Sequence, residues 1–297
     1  MKVGGQAIIE GVMMIGNKVA IAVRNKEGSI VTEILGIPKR GKVMKIPFLR
    51  GFYSLYLSLY FGMKALTRSA EISSGEKMKK SEGITSILIA FAIAIGLFVI
   101  TPLLITNLLT FLRNNEFLFS LIEGVIRVIL FLIYVWIISF FKDVKRLFQY
   151  HGAEHKTIHA FENSEKLEVK NVIKYPTIHP RCGTNFIMIF LIVSILLFSF
   201  LGFFGEITIK VRILSRIILI PVVAGISYEF LKIAAIFGKS KVLRLFFIPG
   251  LALQYLTTSE PDESQIEVAI TALKASLEKE DKERQNEVDE KGIEFLG

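Results

Sequence analysis

The sequence predicts a mainly α-helical, polytopic membrane protein with four transmembrane helices, two short interfacial or re-entrant helices and a small N-terminal β-rich cytosolic piece. Three observations predict it. Of 297 residues, 52% are hydrophobic and 24 are phenylalanine. Four separate apolar runs approach the roughly 20 residues that a helix needs to cross a bilayer. Ahead of them lies a glycine-punctuated segment with short β-type runs. No charged lead, short apolar stretch and small-residue cleavage site opens the chain, so no secretory signal peptide is expected. A single cysteine excludes an internal disulfide framework and fits a reducing compartment.

Residues 1–47 form the β-rich cytosolic segment, with strands expected over Gln6–Met14, Lys18–Arg24 and Ser29–Leu35 and a turn at Asn25–Gly28. Its glycines lack the spacing of a nucleotide-binding loop. Residues 48–82 hold a helix over Phe48–Ala70 and a polar linker. The apolar run Gly51–Met63 is too short to span a bilayer, and its tyrosines and serines suit an interfacial or re-entrant helix. Residues 83–141 carry the first two transmembrane helices, over Gly83–Leu112 and Gly124–Phe141. Pro102 should tilt or kink the first, and Glu123 and Arg127, four apart, suit a structural ion pair. No proline interrupts the second before His151, so it is expected to run on as a helix into the cytosolic His/Cys segment, residues 142–185. Residues 186–237 supply the third and fourth spans, Phe186–Phe204 and Ile213–Phe237. Residues 238–258 are a second re-entrant or interfacial segment broken at Pro249-Gly250. Residues 259–297 form a cytosolic amphipathic helix with the stripe Ile266, Ile270, Leu273 and Leu277, then a charged tail expected to fray. That stripe must cover the β piece, the cytosolic site or a protein partner.

Basic residues set the orientation. Fourteen Lys/Arg precede Gly83 and eight lie between Lys142 and Asn185, against one in Arg113–Glu116 and two in Gly205–Arg212. The positive-inside rule therefore places both termini and the histidines in the cytoplasm. The net charge of +9 divides unevenly: Ser259–Gly297 has twelve acidic and five basic residues, which leaves +16 for the preceding chain. A basic body on a membrane protein implies anionic lipid headgroups as its partner, and no nucleic-acid motif is present. Nothing in the sequence sets an oligomeric state.

All four histidines (His151, His155, His159, His179) and the one cysteine, Cys182, fall between Tyr150 and Asn185. On a helix His151 and His155 share a face one turn apart, the spacing that offers two imidazoles to one metal ion. Glu154 between them completes a His-x-x-Glu-His order, in which the glutamate deprotonates a water. His159 lies on the same face, but eight residues rise about 12 Å, so three imidazoles cannot reach one ion. It is left as a hydrogen-bond partner behind the ligands, a substrate contact or a ligand to a second ion. Further ligands are sought among His179, Cys182, Glu229 and Glu10, while Arg181 and Lys156 suit an anionic substrate group. For Cys182 the alternative is a small buried residue, for Glu229 a pair with Lys232, and for Glu10 the solvated side of a strand.

The motifs Gly-Gly-Gln-Ala-Ile-Ile-Glu-Gly-Val-Met-Met (4–14), His-Gly-Ala-Glu-His-Lys (151–156), His-Pro-Arg-Cys-Gly-Thr (179–184) and Ser-Glu-Pro-Asp-Glu-Ser-Gln-Ile-Glu-Val-Ala (259–269) together resemble the YqhQ-like family, bacterial multi-pass membrane proteins of unknown function that are taken to be metal-dependent enzymes. The resemblance implies a bacterial cytoplasmic membrane protein and brings Gln6 and Glu10 toward the site. The expectation is a cytoplasm-facing metal-dependent hydrolase. Its divalent ion would be zinc by preference, with iron or manganese as alternatives, and Glu154 would be its general base. The substrate would be a lipid, a lipid-linked intermediate or a membrane-protein segment. A transporter of metal ions or small solutes and a noncatalytic metal-stabilised scaffold are the rival expectations.

Overall fold

The computed structural model of the chain describes residues 3–38, 42–77, 79–112, 115–204, 208–236 and 241–278. The expected fraying of the acidic tail falls on 279–297, outside the described residues.

Four strands, β1 Gly4–Ile8, β2 Gly11–Ile15, β3 Val19–Arg24 and β4 Ile30–Gly36, form one antiparallel meander in sequence order. Helix α1, Leu49–Ser74, covers one face through Phe61 and Ala65, against Ile8, Met13, Ile21 and Val23. The opposite face, with Val12, Met14 and Ala22, packs against two later helices, Lys142–Glu162 and Glu263–Leu277. Burial on both faces explains why β2 and β3 are almost continuously apolar, since neither presents a face to water. The run Gln6–Met14, expected as one strand, is two. Ile8 pairs with Gly11 across a tight turn in which Glu10 takes φ 52°. Glutamate seldom occupies that region, and here its carboxylate is held by Arg146, 2.6 Å from Nη2, and accepts from the Tyr150 hydroxyl at 3.3 Å.

The apolar part begins with α2, Lys80–Ile95, which passes through a π-helical turn at Gly96–Ile100 into α3, Thr101–Leu108. Pro102 has no N–H, so the Phe98 carbonyl four residues earlier loses its helical donor. Arg127 Nε fills that place at 2.8 Å. Arg127 lies on α4, Glu116–Ile138. With α7, Gly183–Leu201, these give, among the described residues, three helices long and apolar enough to cross a membrane: Ser81–Leu108, Glu116–Ile138 and Gly183–Leu201. The expected fourth span is instead two helices, α8 Ile209–Ile218 and α9 Ile220–Ile236. The break falls just before Pro221, which suits a helix's first turn and cannot continue a preceding one. In the same way α4 stops at Ile138, and extended Phe141 starts a new helix, α5 Lys142–Glu162, with Asp143 in its first turn. The second span and the histidine helix are therefore separate.

After the short α6, Val169–Val172, and the central α7, helix α10 runs unbroken over Lys241–Thr257 through Pro249, where a break was expected. Finally α11, Glu263–Leu277, starts on an Asp262–Gln265 capping box. It lays Ile266, Ile270 and Leu273 against the sheet and α5, so its stripe covers the β piece.

Glu123, almost fully buried on α4, binds both Arg127 and Arg216, each through Nη2 at 2.5 Å. Removing one partner of a buried charge set strands the others. Glu123→Ala should therefore destabilise the protein by about 3–5 kcal/mol in a detergent melt. Loss of the exposed Arg24–Glu267 pair through Glu267→Ala should change stability by less than about 1 kcal/mol.

Candidate metal centre

The two parts of the fold meet at α5, at the 177–182 loop that leads into α7, and at the C-terminal end of α10. Gly152 lets them approach. A Cβ there would stand 2.2 Å from the Ser259 carbonyl, so only glycine lets the α10–α11 connection cross α5. The helix passes through Gly152 without interruption.

His151 and His155 project from adjacent turns with ring centroids 4.4 Å apart. The two rings have the same arrangement of protons. His151 Nδ1 lies 2.8 Å from the Thr257 carbonyl, and His155 Nδ1 lies 2.5 Å from the Thr177 carbonyl. A carbonyl only accepts, so both protons sit on Nδ1 and both Nε2 atoms present lone pairs. The His151 Nε2 lies 3.1 Å from Cys182 Sγ. The His155 Nε2 is buried and has no hydrogen-bond partner among the described residues. All three donor atoms lie within 4.8 Å of one another.

Cys182 is the N-cap of α7, and its sulfur accepts from the Thr184 N–H at 3.4 Å and the Thr184 hydroxyl at 3.2 Å. Burial outweighs the Thr184 and Gly183 donors and pushes the thiol up, so in the metal-free site the proton stays on sulfur, facing the His151 Nε2 lone pair, and a bound cation would release it. Burial, with the neighbouring His151, pushes His155 down to about 2, so it stays neutral across the physiological range. That is the form a metal requires. Glu154 is driven up to about 8, chiefly by burial, with His151 opposing and Cys182 adding to the rise. Its carboxylate rests against Gly5 of β1, where a Cβ would come within 2.8 Å of it.

The donor set fits a divalent ion. Ligands around tetrahedral zinc stand ~3.5 Å apart, so small side-chain shifts suffice. The hydrogen bonds at Nδ1 supply the outer support that metal-binding histidines use.

The other sequence-predicted residues are held in contacts of their own, His179 beside the cluster. The His179 Nδ1 accepts from the Arg181 N–H at 3.2 Å, so its proton is on Nε2, facing Glu162 at 3.5 Å. Its ring centroid stands 5.6 Å from that of His155, its buried Nε2 has no hydrogen-bond partner among the described residues, and burial together with His159 lowers it to about 4. His159 donates to the Ile178 carbonyl at 2.9 Å and stacks on Tyr175, holding the loop. Arg181 pairs with Glu162 on the wall of an open cavity. Lys156 donates to the Ile173 carbonyl at 2.8 Å and pairs with Glu260. Glu229 pairs with Arg50 of α1 and accepts from the Phe48 N–H, which leaves Lys232 out of the bond expected for it. Gln6 points to the other face of the sheet, against Gly62 of α1, and Glu10 is held in its turn by Arg146. Sequence reasoning missed Gln254. Its amide accepts from the His179 N–H at 2.8 Å and donates to the His179 carbonyl at 3.0 Å, clamping the loop to α10. The signal was present, because Gln254 is the buried polar exception in an apolar run.

A family model described as a protein of unknown function, DUF1385, matches residues 46–279. The chain is 35% identical over 306 residues to the uncharacterized protein YqhQ of Bacillus subtilis (strain 168), with 96% of this chain and 95% of that one covered. No solved structure matches the chain.

The buried groups set a pH dependence for the metal-free protein. His155 and His179 are depressed from 6.5 in the folded state, so the unfolded chain binds more protons as pH falls below 6.5, and their contribution is lost on acidification. Glu154 is raised from 4.5 to about 8, so its contribution is present below 4.5 and lost as pH rises to about 8. Melting temperature in metal-free buffer should peak near pH 6.5, and Glu154→Gln should remove the fall on the alkaline side.

Proposed function

The chain belongs to the DUF1385 family of proteins of unknown function, and we propose that it is a membrane-embedded, metal-dependent hydrolase whose site faces the cytoplasm. The observation that carries this is the buried, unpartnered His155 Nε2 converging with His151 Nε2 and Cys182 Sγ. Two imidazoles and a thiolate suit zinc ahead of iron or manganese. His151, His155 and Cys182 would hold the ion as three protein ligands, the number usual for catalytic rather than structural zinc. When bound, the ion supplies positive charge that polarises a carbonyl or phosphoryl oxygen and acidifies water.

The chain's own residues supply the rest. His151 and His155 hold their lone pairs in place through Thr257 and Thr177. Glu154 takes the proton of the attacking water on a carboxylate oxygen and returns it to the leaving group. Its pKa of about 8 in the metal-free site lies close to neutral, where a general base works best, and a cation beside it draws it lower. Gly5 leaves the space in which that carboxylate sits. Three apolar helices and the distribution of Lys and Arg support the cytoplasmic side of a membrane. A site at that level suits a lipid, a lipid-linked intermediate or a membrane-protein segment. Among the described charged groups of the bundle, Glu123 is bound by two arginines and Glu116 by Arg212, which favours an enzyme over a carrier of ions.

One distance favours a second activity. Cys182 Sγ lies 3.1 Å from His151 Nε2, and the Thr257 carbonyl orients that ring, the arrangement of a cysteine nucleophile with its base. It leaves the His155 Nε2 without a role. Elemental mass spectrometry and turnover on a panel of ester and phosphoester lipids separate the two. The wild type and Glu154→Gln should each hold about one zinc per chain, with turnover falling ~100-fold or more in the variant. His155→Ala should lose both metal and turnover. Turnover that survives His155→Ala and disappears in Cys182→Ser would establish the nucleophile instead.

A further inference from the structure

We propose that α1 lies along the cytoplasmic headgroup–acyl boundary with one apolar stripe in anionic lipid, fixing the height of the sheet and of the histidine–cysteine cluster at the membrane surface. This rests on the membrane part of the proposed function and is independent of the metal.

The buried side of α1 is fully accounted for. Gly51 packs on Gly225 and Tyr228 of α9, and Phe61 and Ala65 pack on the sheet. The other side carries Phe52, Tyr56, Leu59, Tyr60, Met63 and Leu66, each 37–57% exposed. Steps of three and four residues align them into one stripe ~21 Å long. So long an apolar stripe is not left in water. Yet α1 is not among the three helices apolar enough to cross a bilayer. An amphipathic helix with these properties lies in the interface.

Three features name lipid as the occupant. The stripe begins at the wall of the apolar bundle, where Arg50 of α1 binds Glu229 of α9 and α9 packs on the spanning candidate α7. Tyr53, Tyr56 and Tyr60 form a stacked series along the helix, the residue type that gathers at headgroup level. The segment just before α1 carries Lys39, Arg40, Lys42 and Lys45, a charge complementary to anionic headgroups.

The chain has one tryptophan, Trp136, exposed on α4, which makes an internal control. The protein is reconstituted into phosphatidylglycerol-containing vesicles of phosphatidylcholine brominated either near the headgroup or near the acyl terminus. The native chain is compared with Tyr56→Trp and Tyr60→Trp, each in a Trp136→Phe background. Two positions keep the result from resting on the folding of one variant. Both new tryptophans should lose about half of their emission to the shallow bromines, less to the deep ones and little to aqueous iodide. Quenching by iodide with none by bromine puts the stripe in water and overturns the inference. Protection from both quenchers puts a second copy on it and also overturns it. In either case quenching of Trp136 by bromine would leave the membrane reading intact. An unquenched Trp136 would remove that reading, and the inference with it.

Discussion

Two hydrogen bonds, from His151 Nδ1 to the Thr257 carbonyl and from His155 Nδ1 to the Thr177 carbonyl, are the constraint on which the site depends. Each fixes a proton on one nitrogen and so decides what the other nitrogen can do. Each also ties α5 to a different part of the chain, one to the end of α10 and one to the loop before α7. Gln254 then joins those two parts by clamping the His179 main chain. Cys182 arrives as the N-cap of the bundle's central helix. The contacts that orient the cluster are therefore the same ones that join the sheet layer to the bundle.

The bundle meets a different demand, since polar groups within it must be satisfied internally. Pro102 removes one donor and Arg127 replaces it, and Glu123 answers Arg127 and Arg216 together. Phe198 lies under the Arg216 guanidinium at 4.2 Å, which offsets part of its desolvation. The mutual pairing of Glu123, Arg127 and Arg216 suits a platform that holds a site in place. The sheet, between α1 and α11, supplies the wall against which Glu154 is desolvated, and Gly5 is the part of that wall it touches.

Much of this was legible in the sequence. The pairing of His151 with His155 was visible in spacing alone, because i and i+4 share a helix face, whereas Cys182 was one of several candidates for a further ligand. Three of the four apolar runs are long continuous helices, and the stripe on α11 does cover the β piece. The misses have physical causes. Main-chain carbonyls such as those of Thr177 and Thr257 carry no side-chain signature, so the groups that orient the imidazoles could not be read. Glu10, Glu229 and Arg181 found partners distant in sequence, in Arg146, Arg50 and Glu162. Hydropathy saw one run where Pro221 divides two helices, and the turn at Glu10 has glutamate where glycine or asparagine usually takes the positive φ.

The central claim is that His151, His155 and Cys182 converge on one metal ion, and its most direct measurement is the absorption spectrum of the cobalt(II)-loaded protein. Cobalt occupies zinc sites and reports its ligands. The account predicts visible bands of tetrahedral cobalt together with a near-ultraviolet band from thiolate to metal, the latter lost in Cys182→Ser. Cobalt bound without the thiolate band, or a spectrum unchanged by Cys182→Ser, would contradict it.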